Sequence, residues 1–204
     1  MNIFQKLAVK PWSDDAHVAM TAQGGFAAPD AKIGLRFFLF VVSVLFFLLT
    51  AAYFMRKGMM DWRSLPLPPL LWLNTLVLVA ASLALQWAKN SGNAGDAKQL
   101  HNGLLLGGVL TTVFLLGQLS VWQDLRSLGY FATTNPSNAF FYLFTGLHAL
   151  HMLGGMVAWG RAMNRSWRGD LDIEELTLRT DLCAAYWHYL LLIWLYVFGL
   201  LTVT

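Results

Sequence analysis

Charge is what this chain has least of. Only 12% of its 204 residues are Asp, Glu, Lys or Arg, about half the share of an ordinary soluble domain. Long uncharged blocks alternate with short charged ones, a segregation that a soluble core of this size does not need. Cysteine is nearly absent: Cys183 stands alone, which excludes an intrachain disulfide and a cysteine metal cluster. No Asp, Glu, Lys or Arg falls deep inside an apolar block, so a self-sufficient pump or ion channel is disfavoured. A carrier of neutral solutes stays open. No Walker loop, nucleophile elbow or HExxH is present. A net charge of +3 is too small and too spread to suggest a nucleic-acid partner. The first thirty residues lack an apolar core of signal-peptide length, which predicts that the amino terminus is retained.

What is abundant is apolar: 57% of the residues are hydrophobic. They gather into five blocks, each of the roughly 20 residues that a bilayer-crossing helix needs. The prediction is an all-α integral membrane protein, a bundle of five transmembrane helices over residues 33–55, 68–88, 102–122, 139–160 and 182–203. Residues 1–31 read as an amino-terminal arm, and 32–204 as the membrane domain. Pro68 and Pro69 open the second span, where the missing amide of proline costs nothing. Residues 90–99, 125–138 and 161–181 read as loops. The last holds much of the remaining charge, including Asp170, Asp172, Glu174 and Glu175. All but four of the 14 Lys and Arg lie in or beside the arm and the second and fourth loops; the exceptions are Arg56, Lys57, Arg63 and Arg126. The positive-inside rule therefore predicts a cytoplasmic amino terminus and a periplasmic carboxyl terminus.

The fourth block, FFYLFTGLHALHMLGG, carries His148 and His151 three residues apart, one helical turn on a shared face. Each imidazole needs a partner at that depth. Thr145, Gly146, Gly154 and Gly155 leave room for a neighbouring backbone, so this helix is predicted to be the packing hub. His188 in the fifth block falls at similar depth. Two readings follow. The histidines bond to one another, to hydroxyls or to carbonyls and fix helix packing; or His151 and His188 face each other as axial haem ligands of a small b-type cytochrome. Copper or zinc needs further ligands that the sequence does not supply. Trp187 and Trp194, seven apart, read as core packing. Gln118 reads as a cross-helix hydrogen bond. Arg36 is a topological charge able to snorkel to a lipid phosphate. His17 and His101 read as solvated.

The pattern Thr145-Gly146-x-His148-x-x-His151-x-x-Gly154-Gly155 resembles the signature of subunit III of the haem–copper respiratory oxidases, in its short five-helix form. Lys32-Ile33-Gly34 with Ala51-Ala52-Tyr53, Leu71-Trp72-Leu73-Asn74-Thr75, Gln118 with Trp122, and Trp187-His188 with Trp194 follow the family in order. Three positions depart from it. Val42, Val121 and Leu191 stand where the family usually carries acids, so roles of those acids in proton handling or oxygen gating are not carried over.

The resemblance implies a subunit with no active site or cofactor of its own, in a proton-translocating oxidoreductase complex (cytochrome c oxidase) of a bacterial inner membrane. Haems and copper would sit in partner subunits. It implies packing on catalytic subunit I, together with subunit II and other small subunits, and phospholipid held in a helix cleft. His148, His151, Trp187, His188, Gln118 and Arg36 are candidates for the polar packing and lipid-lined region. A subunit of a quinol oxidase or of a nitric-oxide-reductase-associated homologue is the alternative within the family.

Overall fold

The computed structural model describes residues 27–168 and 173–203. His17, Asp170, Asp172 and most of the expected arm lie outside the described residues. Five helices account for nearly all the rest: α1 (Ala27–Lys57), α2 (Leu70–Asn93), α3 (Ala97–Ser127), α4 (Pro136–Arg168) and α5 (Ile173–Val203). Each is long and apolar enough to cross a bilayer. The protein is an all-helical, multi-pass membrane protein.

The helices outrun the apolar blocks. α4 has 33 residues, roughly 50 Å at 1.5 Å per residue, against a hydrocarbon layer of roughly 30 Å. Residues 161–168 and 173–181, expected as loop, are helical. Hydropathy falls where charge begins, but a helix does not have to stop there. Glu174 and Glu175 in the first turn of α5 suit the positive end of the helix dipole, and Arg179 bonds Glu175 one turn away at 2.6 Å. Residues 90–93 are likewise the last turn of α2.

The remaining connections use ordinary stop and start chemistry. Pro69 is the amino-terminal cap of α2. Asp96 caps α3 by accepting from the Gln99 amide at 3.0 Å, and its other carboxylate oxygen accepts from Gln99 Nε2 at 2.7 Å, a side-chain cap of the first turn. Asn135 Oδ1 accepts from the Ser137 amide at 3.1 Å, with Pro136 at the first helical position. Gly95 and Gly129 take φ of 78° and 85° in the turns after α2 and α3, where a side chain would be strained.

The chain divides into two compact units, residues 1–41 and 42–204. In the first, the described residues are the leading stretch of α1, whose Phe37 and Phe40 are exposed. In the second, α2 and α3 form the closest pair, and α5 packs on α2 and α4. A Cβ added to Gly103 would come within 2.9 Å of the Ala88 backbone, so small residues bring α2 and α3 together. A separate aromatic cluster holds Val42, Phe46 and Tyr53 of α1 against Phe144 of α4 and Ile193 and Val197 of α5.

Candidate functional site

Four polar aromatic side chains of α5 each donate to a different helix. Tyr186 Oη bonds His151 O of α4 at 2.8 Å. Trp187 Nε1 bonds Thr111 Oγ1 of α3 at 2.8 Å. Trp194 Nε1 bonds Thr75 Oγ1 of α2 at 2.9 Å, and Tyr196 Oη bonds Thr50 Oγ1 of α1 at 3.1 Å. The hub is therefore α5. α4, which the glycines and histidines suggested, is one of its four partners.

Each threonine in these contacts serves two bonds. Thr50, Thr75 and Thr111 donate to the carbonyls of Phe46, Leu71 and Gly107, four residues back in their own helices. The hydroxyl oxygen is then left to accept from the incoming indole or phenol. Thr145 repeats the arrangement, donating to Phe141 O at 2.7 Å and accepting from Trp122 Nε1 at 3.1 Å. All four threonines are buried. A fourth indole, Trp159, donates directly to Leu104 O at 2.9 Å and lies over Gly108, where a Cβ would overlap its ring.

α2 and α5 meet in antiparallel register through a row of polar and aromatic pairs. Lys89 Nζ lies 2.6 Å from Asp181. His188 sits between Ser82 and Gln86: Nδ1 bonds the Ser82 hydroxyl and Nε2 meets Gln86 Oε1 at 2.8 Å. Gln86 Nε2 donates to Asn90 Oδ1 at 3.0 Å, so its Oε1 must accept. The proton of His188 is thereby assigned to Nε2, and Ser82 donates to Nδ1. Trp194 on Thr75 follows, then Trp72 against the edge of Phe198 at 4.7 Å.

His148 and His151 do not bond to each other. His148 is fully buried between Phe114, at 6.0 Å between ring centres, and Trp194, at 5.1 Å. Neither of its nitrogens has a partner among the described residues, contrary to the expectation that each imidazole finds one. His151 turns to α1: its ring lies 5.9 Å from Phe46, and Nδ1 bonds Leu147 O at 2.6 Å. His188 bonds α2 through both nitrogens. Because they address different helices, His151 and His188 do not form the facing pair that axial ligation requires. Among the described residues no three His, Cys, Asp or Glu side chains converge as a metal site would need.

Gln118 is buried and accepts from Asn74 Nδ2 at 3.3 Å. Trp187 is fully buried. Arg36 is exposed on the leading stretch of α1. Val42 lies in the aromatic cluster, Val121 is fully buried, and Leu191 is partly buried. Of the glycines expected to admit a backbone, Gly155 takes the rings of Tyr186 and Trp187, whereas Gly154 faces open space. His101, read as solvated, accepts from Trp167 Nε1 at 2.8 Å. Sequence reasoning missed Ser82, Gln86, Thr111 and Tyr186. Their only signal was a lone polar or phenolic group inside an apolar span.

The chain as a whole has relatives among known proteins. The family model for cytochrome c oxidase subunit III matches residues 2–203. Cytochrome c oxidase subunit 3 of Thermostichus vulcanus is 30% identical over 182 residues, 85% of this chain and 87% of its own. The subunit of Synechocystis is 26% identical over 208 residues, 95% of this chain and 88% of its own. The probable cytochrome c oxidase subunit 3 of Mycobacterium tuberculosis is 31% identical over 127 residues, 61% of each chain. Matched over nearly its whole length, and by a relative aligned along most of both chains, the chain belongs to the cytochrome c oxidase subunit III family.

Proposed function

We propose that this chain is a non-redox accessory subunit that packs on the catalytic subunit I of a terminal oxidase and holds phospholipid in a helix cleft. The observation that carries this reading is the sorting of its side chains. Deep polar groups such as Trp187, Trp194, Thr75 and Thr111 are taken up in bonds between helices, while Phe37, Phe40 and Phe47 are 65–70% exposed on α1. A chain so arranged offers apolar faces to lipid and to partner helices, and keeps its polarity for internal register. Haems and copper belong to the partner subunits.

His148, His151, Trp187, His188 and Gln118 serve in this reading as the polar packing core, with Arg36 positioned for a lipid phosphate. The amino-terminal end of α1 faces the cytoplasm of a bacterial inner membrane, and the carboxyl end lies in the periplasm. The distribution of Lys and Arg supports that orientation.

Capture of the tagged chain in gentle detergent, with optical spectra of the complex and of the separated subunit, tests the proposal. A haem-bearing large subunit should co-purify, and the separated chain should be colourless. Stoichiometric haem on the separated chain would overturn the reading.

A further inference from the structure

The layer around His148 contains polar atoms that no group among the described residues satisfies. His148 is 0% exposed with Nδ1 and Nε2 both unpartnered, and Gln118, 1% exposed, is unpartnered at Nε2. Among the described residues only Trp62 Nε1 shares this condition. A buried polar group left without a hydrogen bond is costly, so two such residues close together call for a common partner.

Their placement brings them together. Phe114, Gln118 and Trp122 recur every four residues on α3 and share a face. Phe114 meets the His148 ring edge-on at 6.0 Å, and Trp122 donates to Thr145, one turn from His148 on α4. Gln118 stands four residues along α3 from Phe114, a rise of roughly 6 Å, and four before Trp122, so it falls between these two contacts along the helix. Asn74 Nδ2 donates to Gln118 Oε1, which fixes the carboxamide so that its nitrogen is the free end. That end can only donate. A neutral imidazole offers one bare nitrogen and one N–H.

We propose that this layer is a binding site for a single internal water, held between Gln118 Nε2 and the bare ring nitrogen of His148. The water accepts from Gln118 and donates to His148. Two such bonds span about 5–6 Å between the protein atoms, which suits side chains that do not bond each other directly. The remaining imidazole N–H is left to the aromatic faces beside it, a weak acceptor. The layer contains no charged side chain, so its chemistry suits a neutral ligand that both donates and accepts. The site concerns this chain alone and does not depend on which oxidase subunit covers it.

A map of the intact complex sharp enough to show ordered water should place a peak within hydrogen-bond reach of both Gln118 Nε2 and His148. Gln118→Met and His148→Phe should each lower the melting temperature of the complex by about 3 °C. The double variant should fall by less than the sum of the two singles, because both act in part through one water. A direct bond between Gln118 and His148 with no density between them would overturn the site. Additive losses in the double variant would also overturn it.

Discussion

Trp194 Nε1 donates to Thr75 Oγ1 at 2.9 Å while that same hydroxyl donates to Leu71 O at 2.8 Å. The threonine is thus complete only when α5 is docked, because its own helix uses its proton and leaves its lone pair. The same division of labour at Thr111 and Trp187 makes the hydroxyl an acceptor of fixed direction.

Replacing such a threonine by valine keeps the shape and strands an indole N–H. Thr75→Val and Thr111→Val should each destabilise by about 1–3 kcal/mol. Thr112→Val is the control, because that exposed hydroxyl bonds Gly108 O and receives no indole. It should be close to neutral. Thermal melts of the detergent-solubilised complex compare the three.

The adjacent glycines of α4 should behave oppositely. A Cβ at Gly155 would stand 2.5 Å from Tyr186 Cε1 and 3.2 Å from Trp187 Cη2. Gly155→Ala should therefore cost about 1–3 kcal/mol through overpacking. Gly154 faces nothing within 4 Å, and Gly154→Ala should stabilise the isolated chain by up to about 1 kcal/mol through helix propensity. Melting temperatures of the separated subunits test both. A Gly154 variant that is stable but no longer captured with the oxidase would mark that face as a subunit contact.

Gln86→Leu removes the acceptor of the His188 Nε2 proton. The loss should be about 1–3 kcal/mol, the penalty of a stranded donor. Gln86→Glu keeps an acceptor at the same reach and should recover part of that loss. Subunit retention on the purified complex after mild heating provides the readout.

Lys89 and Asp181 are partly buried, with side chains 33% and 27% exposed. Removing one partner leaves the other charge poorly solvated, so Lys89→Met or Asp181→Leu should each harm expression or melting temperature. The double variant should be better tolerated than either single. If the double variant loses as much as the two singles combined, the pair is not coupled.

Five membrane helices were legible in the hydropathy, because burying a backbone in lipid demands uninterrupted helical hydrogen bonding. The helix ends were not, since α4 and α5 continue through Arg161 and Asp181 where the apolar blocks stop. Trp187 and Trp194 were identifiable as core from their spacing. Their partners Thr111 and Thr75 were not, because a buried threonine reads the same whether it bonds its own carbonyl or also receives an indole. His148 and His151 looked like a pair from a spacing of three. Their rings diverge to α5 and α1 because the packing of Trp194 and Phe46 decides which way each turns. Tyr186 stood beside Trp187 and drew no notice, since adjacent helical residues point about 100° apart and the two address different helices.

The four donors of α5 bear on how the protein is made. α1 to α4 leave the ribosome before α5, and Thr50, Thr75 and Thr111 can rest in lipid because each hydroxyl already bonds its own carbonyl. Trp187 and Trp194 bond to α3 and α2 instead, so α5 enters the bilayer with indole donors that its predecessors accept. Its arrival closes the lattice in a single step, and chains stalled before it would wait in the membrane as loosely associated helices, open to quality-control proteolysis.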